Sequence, residues 1–225
     1  MNRLRAVLFD LDGTLLDTAP DLAGALAQVL LEQGRAPLPY AQVRAHVSLG
    51  SEALIQLAFP QAFAQEQVRL RARFLECYAA RLHAETRLFP GMQTILDRLQ
   101  ATGFALAVVT NKPAWLTEPL LRGLDLHRRF GCVVSGDTLP YSKPDPRPLW
   151  HAAAQLGHPA AHSVYWGDAE RDIQAGRAAG MHTLLAAWGY LHDQDDPAQW
   201  QPDACLESPD AFWSWLEAVH GQTGP

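Results

Sequence analysis

The stretch AVLFDLDGTLLD, residues 6–17, constrains this chain more than any other. An apolar run suited to burial ends in Asp10, passes through Leu11 to a second acid at Asp12, and turns at Gly13. Burying a carboxylate without a partner is costly, and two so close raise each other's pKa unless a cation sits between them. The end of this segment is therefore either a solvated loop or a site that receives positive charge.

Further strand-like apolar runs lie at residues 104–109, 132–134, 164–166 and 183–187, and helix-like stretches at 115–124 and 148–156 fall between them. That alternation predicts an α/β fold with a Rossmann-like parallel sheet. The interval between the first two strands is far longer than one crossover helix, and its pattern is helical. Thr18 stands at an N-cap position, Pro20 and Asp21 fall in the first turn, Leu22, Leu26, Val29 and Leu30 recur at helical spacing, and Gly34 stops the run. Further helices are expected from Ser51 and from Gln65, the latter with an apolar stripe at Val68, Phe74 and Leu75. The expected organisation is a sheet core of residues 1–16 and 87–225 with an all-helical cap, residues 17–86, inserted after the first strand. A final helix is expected at 211–219, with Trp213, Trp215 and Leu216 packing it on the core.

With 225 residues, 48% of them hydrophobic, the chain can bury such a core. A net charge of −6 gives no general attraction for nucleic acid or anionic lipid, so an anionic ligand must be held by a local site. No apolar run approaches the roughly 20 residues of a membrane span. Acids follow the N-terminal apolar stretch at once, with no cleavage pattern of a signal peptide. Cys77, Cys132 and Cys205 have neither disulfide-like nor zinc-like spacing. A cytoplasmic location fits these features, and the chain does not reveal whether it is a monomer or a homodimer.

Of 18 basic residues only Lys112 and Lys143 are lysine, and both precede a proline just beyond a strand-like segment. Coding bias can thin out lysine, but this placement favours two sites that need a compact ammonium. In parallel α/β sheets ligands bind beyond the carboxyl ends of the strands. Four such ends here are polar: Asp10 and Asp12; Thr110, Asn111 and Lys112; Ser142 and Lys143; and Gly167 and Asp168, with Asp172 one helical turn on. Carboxylates, ammonium groups and a hydroxyl at one edge suit phosphoryl transfer with Mg²⁺, a hard cation that takes oxygen ligands. A calcium loop of the EF-hand type is excluded, because glycine is fourth rather than sixth after Asp10 and the twelfth residue is Asp21.

FDLDGT, VVTNKP, SKPDP and GDAERD, in that order and with a helical insertion after the first, resemble the haloacid dehalogenase superfamily of phosphatases, in the branch with an N-terminal helical cap. The resemblance implies that Asp10 is the nucleophile, forming an aspartyl-phosphate, and that Asp12 is the general acid and then base. It implies that Thr110 and Asn111 bind phosphoryl oxygens and that Lys143 stabilises the negative charge. Mg²⁺ would be held by the Asp10 carboxylate, the Asp12 carbonyl and Asp168, with Asp172 positioning Lys143 or metal-bound water. The competing readings are that Asp172 is an ordinary helix N-terminal acid, that Lys112 is solvated beside the site, and that Gly176 and Gly180 serve packing and a helix C-cap.

Asp12 favours phosphate chemistry over dehalogenation, and a cap without lysine excludes Schiff-base phosphonate cleavage. A sugar phosphomutase and a non-catalytic phosphate-binding module remain as alternatives. The whole chain is similar to phosphoglycolate phosphatases, while LFPGM, SKPDPRPL and AAWGYLHDQDDPAQW look closer to N-acetylmuramic acid 6-phosphate phosphatases. The expected substrate is therefore a small phosphorylated metabolite, with the sugar phosphate placed ahead of 2-phosphoglycolate. The cap turn HVSLGSEAL is expected to face the site, with Ser48, Gly50 and Ser51 able to hydrogen-bond a substrate, or with Ser51 capping its helix. Trp166 is bulkier than the aliphatic residue expected before GD.

Overall fold

The computed structural model describes residues 4–192 and 194–221; the remaining residues of the expected core, 1–3, 193 and 222–225, lie outside it. Six parallel strands form the sheet in the order β5-β4-β1-β6-β7-β8. They are β1 (Ala6–Phe9), β4 (Ala105–Val109), β5 (Cys132–Val134), β6 (Ser163–Gly167), β7 (His182–Ala186) and β8 (Ala204–Leu206). β1 is central, and Phe9 lies opposite Val108 of β4 and Trp166 of β6. This register brings the residues after three strand ends, Asp10, Thr110 and Asp168, to one edge.

Because side chains alternate across a strand, each buried strand serves two cores. Val7, Phe9, Leu106, Val108, Val164 and Trp166 belong to one, which continues into the helical segment. Ala6, Leu8, Ala107, Val109 and Tyr165 belong to the other, under α7 (Arg147–Gln155) and α8 (Glu170–Ala179). The first face also receives α10 (Ala211–Gly221). Trp166 is fully buried there, stacked on Phe9 at 5.8 Å and Phe212 at 5.6 Å. Its bulk fills this layer, where Trp213, Trp215 and Leu216 also pack.

The segment between β2 (Leu16–Asp17) and β3 (Arg87–Leu88) is helical: α1 (Ala19–Glu32), α2 (Tyr40–His46), a 3₁₀ turn (Val47–Leu49), α3 (Ser51–Ala58) and α4 (Ala64–Ala79). β2 and β3 pair antiparallel, so the chain leaves and re-enters the core side by side. The α4 stripe differs from the sequence expectation. Val68 is 71% exposed, and the buried face is Leu70, Phe74, Cys77 and Tyr78.

The start of α1 also departs from its expectation. Thr18 occupies the N-cap position, but its hydroxyl donates to Asp12 Oδ1 at 2.6 Å rather than capping the helix. The Tyr190 hydroxyl instead accepts the Thr18 and Ala19 N–H groups at 2.7 and 3.0 Å and donates to Asp17 Oδ1 at 2.7 Å. Asp21 turns inward, accepting from the Glu85 and Thr86 N–H groups and the Thr86 hydroxyl at 2.8–3.0 Å. Burial raises this carboxyl, but those donors outweigh it and Asp21 lies below its ordinary value. One side chain thus ties the start of the helical segment to its end.

Sequence patterning left β8, the β2–β3 pair and α5 (Met92–Ala101) undetected. Gly176 lets α8 close on the sheet, since a Cβ there would lie 2.5 Å from Thr183 Cγ2, and Gly180 ends α8 at a φ of +73°. All three cysteines are free, and among the described residues no helix is long and apolar enough to cross a membrane.

Candidate active site

Lys143 lies at the centre of the strand-end cluster, with a side chain closed off from solvent. Its Nζ is 2.9 Å from Asp10 Oδ1 and 2.7 Å from Asp172 Oδ1, and it donates to the Tyr165 hydroxyl at 2.7 Å. These three partners use the three protons of the ammonium. Tyr165 in turn donates to the Val109 carbonyl at 2.9 Å. The Lys143 backbone is held as firmly, since its N–H donates to Asn111 Oδ1 and its carbonyl accepts from Asn111 Nδ2, both at 3.0 Å. The clamp uses Oδ1 and one of the two Nδ2 protons of Asn111, and its backbone N–H is a further donor able to meet a phosphoryl oxygen. Thr110 follows the end of β4, and its hydroxyl accepts the Lys112 N–H at 3.2 Å.

Asp10, Asp168 and Asp172 each offer an oxygen within 4.8 Å of the others. Asp168 is wrapped by two glycines: a Cβ on Gly13, at a φ of +84°, would fall 2.0 Å from its Oδ2, and one on Gly189 would fall 2.3 Å from its Cβ. Asp168 Oδ2 accepts from the Tyr190 N–H at 2.9 Å and from the Ser48 hydroxyl at 2.7 Å. Burial pushes Asp10 up to about 6 against the attraction of Lys143. Burial, reinforced by Asp172 and Asp10, pushes Asp168 up to about 7. Asp172 is buried too, but Lys143 and Arg171 hold it below its ordinary value. Three crowded carboxylates, two of them reluctant to ionise, form an all-oxygen donor set that fits a hard divalent cation.

The helical segment closes the other side. Lys112 does not lie in solvent as one reading of the sequence had it: its side chain is 6% exposed, with Nζ 2.9 and 3.2 Å from the two oxygens of Asp12. The same ammonium donates to the Tyr78 hydroxyl of α4 at 2.8 Å. Burial opposes its charge, but Asp12 and Tyr78 hold it above the ordinary lysine range, while burial pushes Tyr78 up to about 12. The Asp12 carboxylate therefore faces Lys112 and Thr18, apart from the three-carboxylate cluster. Ser48 reaches Asp168, as above. Gly50 precedes α3 at a φ of +91°, and Ser51 does not cap that helix; its hydroxyl accepts from Arg71 Nε at 2.8 Å.

Between the two halves lies a cavity of about 180 Å³, bordered by Asp10, Asp12, Thr110, Asn111, Arg71 and Arg171, among others. Asp10, Asp12, Thr110, Asn111, Ser48, Gly50 and Ser51 all line it, whereas Asp168 borders an adjoining cleft and the buried Lys143 and Asp172 line neither. Sequence reasoning missed Tyr78, Tyr165 and Arg171. The two tyrosines are set within regular elements and read as core residues. Arg171 was marked only by its place between the acids of GDAERD.

The chain is similar to known proteins over most of its length. The chain is 44% identical over 209 residues to a phosphoglycolate phosphatase of Xanthomonas campestris pv. campestris, covering 93% of this chain and 95% of that one. It is 38% identical over 208 residues to an N-acetylmuramic acid 6-phosphate phosphatase of Pseudomonas aeruginosa, covering 92% of each. Among solved structures, a predicted phosphoglycolate phosphatase from Haemophilus somnus superposes with a TM-score of 0.85 at 27% identity, covering 94% of this chain and 97% of that one. The model of the haloacid dehalogenase-like hydrolases matches residues 7–186, which span the strand-end cluster and the helical segment alike. The chain belongs to the haloacid dehalogenase-like hydrolase family.

Proposed function

We propose that the protein is a Mg²⁺-dependent phosphomonoester hydrolase acting on a small phosphorylated metabolite through an aspartyl-phosphate on Asp10, with residues 17–86 acting as a cap over the site. The observation that supports this reading most is the Lys143 ammonium, buried between Asp10 and Asp172 beside the cavity. It holds Asp10 in place and balances negative charge beside the reacting phosphorus. The Leu11 N–H donates to Asp10 Oδ1 at 2.7 Å, the same oxygen that Lys143 meets, so two donors fix one oxygen of the attacking carboxylate.

Asp10 attacks phosphorus, and Asp12, two residues on and lining the same cavity, gives a proton to the departing alkoxide. Asp12 then takes a proton from the water that hydrolyses the acyl phosphate. Thr110 and the Asn111 N–H bind the phosphoryl oxygens. Asp10, Asp168 and the Asp12 carbonyl would hold Mg²⁺, with Asp172 holding Lys143. When bound, the ion supplies positive charge that keeps Asp10 ionised and neutralises phosphoryl oxygens.

Both relatives' names denote phosphate esters that also carry a carboxylic acid. The cavity of about 180 Å³ is smaller than the roughly 300–1,000 Å³ of sites that enclose drug-sized ligands, which favours the two-carbon ester. The sequence details had favoured the sugar acid. The test is kcat/KM for 2-phosphoglycolate and for N-acetylmuramic acid 6-phosphate with Mg²⁺, in the wild type and in Asp10→Asn. Hydrolysis that prefers 2-phosphoglycolate and is lost in the variant is expected. Unchanged turnover in Asp10→Asn would overturn the mechanism, and a preference for the sugar acid would reverse the substrate order.

A further inference from the structure

Ser48 belongs to the helical segment, but its hydrogen bond goes to the core. From the 3₁₀ turn after α2 its hydroxyl donates to Asp168 Oδ2 at 2.7 Å, and both residues are buried. The same oxygen accepts the Tyr190 N–H at 2.9 Å. These two donors, with the close approach of Gly13 and Gly189, enclose Oδ2. Oδ1 receives a long contact of 3.5 Å from the Thr14 hydroxyl and is the oxygen left to meet an ion.

The second donor is steadied from the helical segment as well. Arg44, four residues before Ser48, donates from Nη2 to the Trp188 carbonyl at 3.0 Å, and its guanidinium lies 4.9 Å from the centre of the Tyr190 ring. The end of α2 and the turn after it therefore grip the stretch 188–190 that presents the Tyr190 N–H, while Ser48 supplies the other donor directly. Groups that hydrogen-bond a metal-binding carboxylate fix its orientation, and losing one typically costs about 10–100-fold in metal affinity. Here one such group comes from the segment that covers the site.

We propose that Ser48 is a positioning residue for Mg²⁺: it holds Asp168 Oδ2 and so fixes the carboxylate with Oδ1 free for the ion, which makes docking of the cap and loading of the site favour each other. The proposal rests on reading Asp10 and Asp168 as the residues that hold Mg²⁺. It gives Ser48 a task toward the ion rather than toward the substrate, the role its place in the cap turn suggested. Coupling of this kind is reciprocal: the factor by which a docked cap raises Mg²⁺ affinity is the factor by which bound Mg²⁺ favours the docked cap.

The test is calorimetric titration of Mg²⁺ alone, without substrate, into the full-length wild type, Ser48→Ala and Arg44→Gln. Ser48→Ala should weaken Mg²⁺ binding about tenfold or more, and Arg44→Gln, which leaves Ser48 and Asp168 in place, should weaken it by less. Mg²⁺ affinity in Ser48→Ala equal to that of the wild type would overturn the proposal, and tighter binding would overturn it by making the contact an obstacle to the ion. Amide hydrogen exchange reads the coupling from the other side. Mg²⁺ should slow exchange across residues 40–49 in the wild type and far less in Ser48→Ala, whereas equal slowing in both refutes the coupling. A wild type that does not bind Mg²⁺ would overturn the metal reading together with the proposal, while wild-type binding that Ser48→Ala leaves unchanged would overturn the role of Ser48 alone.

Discussion

In the sheet half of the site, Lys143 meets Asp10, Asp172 and Tyr165, every one carried by the parallel sheet or the loops and helix that follow its strands. In the half beneath the helical segment, Lys112 meets Asp12 and Tyr78, and Tyr78 comes from α4. Each lysine pairs with one carboxylate of the DLD sequence and with one tyrosine hydroxyl. The first network needs no part of residues 17–86, whereas the second is complete only when α4 is docked. The geometry of the proposed nucleophile is thus a property of the sheet, while the surroundings of the proposed acid/base depend on where the helical segment sits.

The sharpest way to break this contrast is at its buried end. Lys143→Met leaves Asp10 and Asp172 without their shared cation, and breaking such a buried pair predicts a loss of about 3–5 kcal/mol in unfolding free energy together with loss of turnover. A variant that stays as stable as the wild type would show that Lys143 does not hold the cluster together. Asp21→Ala attacks the join between the halves instead, orphaning the Glu85 and Thr86 donors, and should cost about 3 kcal/mol by denaturant titration. Because the folded pKa of Asp21 is lowered, its contribution is complete above 3.8 and is lost as pH falls through the folded value below that. The difference between variant and wild type should therefore persist at neutral pH and close only in stronger acid.

The raised carboxyls give the opposite pH dependence. Asp10 at about 6 and Asp168 at about 7 favour folding while protonated, so metal-free protein should lose stability as pH rises from about 4 through 7. Added Mg²⁺ competes with those protons, and its increase in Tm should be larger at pH 7.5 than at pH 5.5. Equal shifts at both pH values would argue against binding at these carboxylates. The smallest effect is expected from Tyr78→Phe, which removes one hydrogen bond between the halves at about 1 kcal/mol. A fall in kcat with little change in Tm would identify the Lys112–Tyr78 contact as a device for placing Asp12, while an unchanged kcat would leave it a structural link.

The sheet and the strand-end motifs were legible because burial on both faces writes long apolar runs, and because acids and lysines directly after such runs have few structural uses. The helical segment was legible from its 3.6-residue period, but its contacts were not. Thr18 had the chemistry of an N-cap and was drawn to Asp12, because Tyr190, 172 residues away, had already taken the helix N–H groups. Val68 fell on the apolar side of a helical wheel whose true seam, through Leu70 and Tyr78, is set by packing against α1. Asn111 carried a phosphate-binding pattern, yet its amide pairs with the Lys143 backbone, a long-range pairing that no local spacing encodes. β8 is three residues long and lies within a polar stretch, so it left no periodic signal.

The central claim is that Asp10 becomes phosphorylated during turnover. The most direct test is an acid-quenched single turnover with ³²P-labelled 2-phosphoglycolate and Mg²⁺, followed by borohydride reduction and peptide mapping. The mechanism predicts label on the protein in the wild type, none in Asp10→Asn, and reduction of Asp10 to homoserine. Phosphate release without any labelled protein on the turnover timescale, or label on a residue other than Asp10, would contradict it.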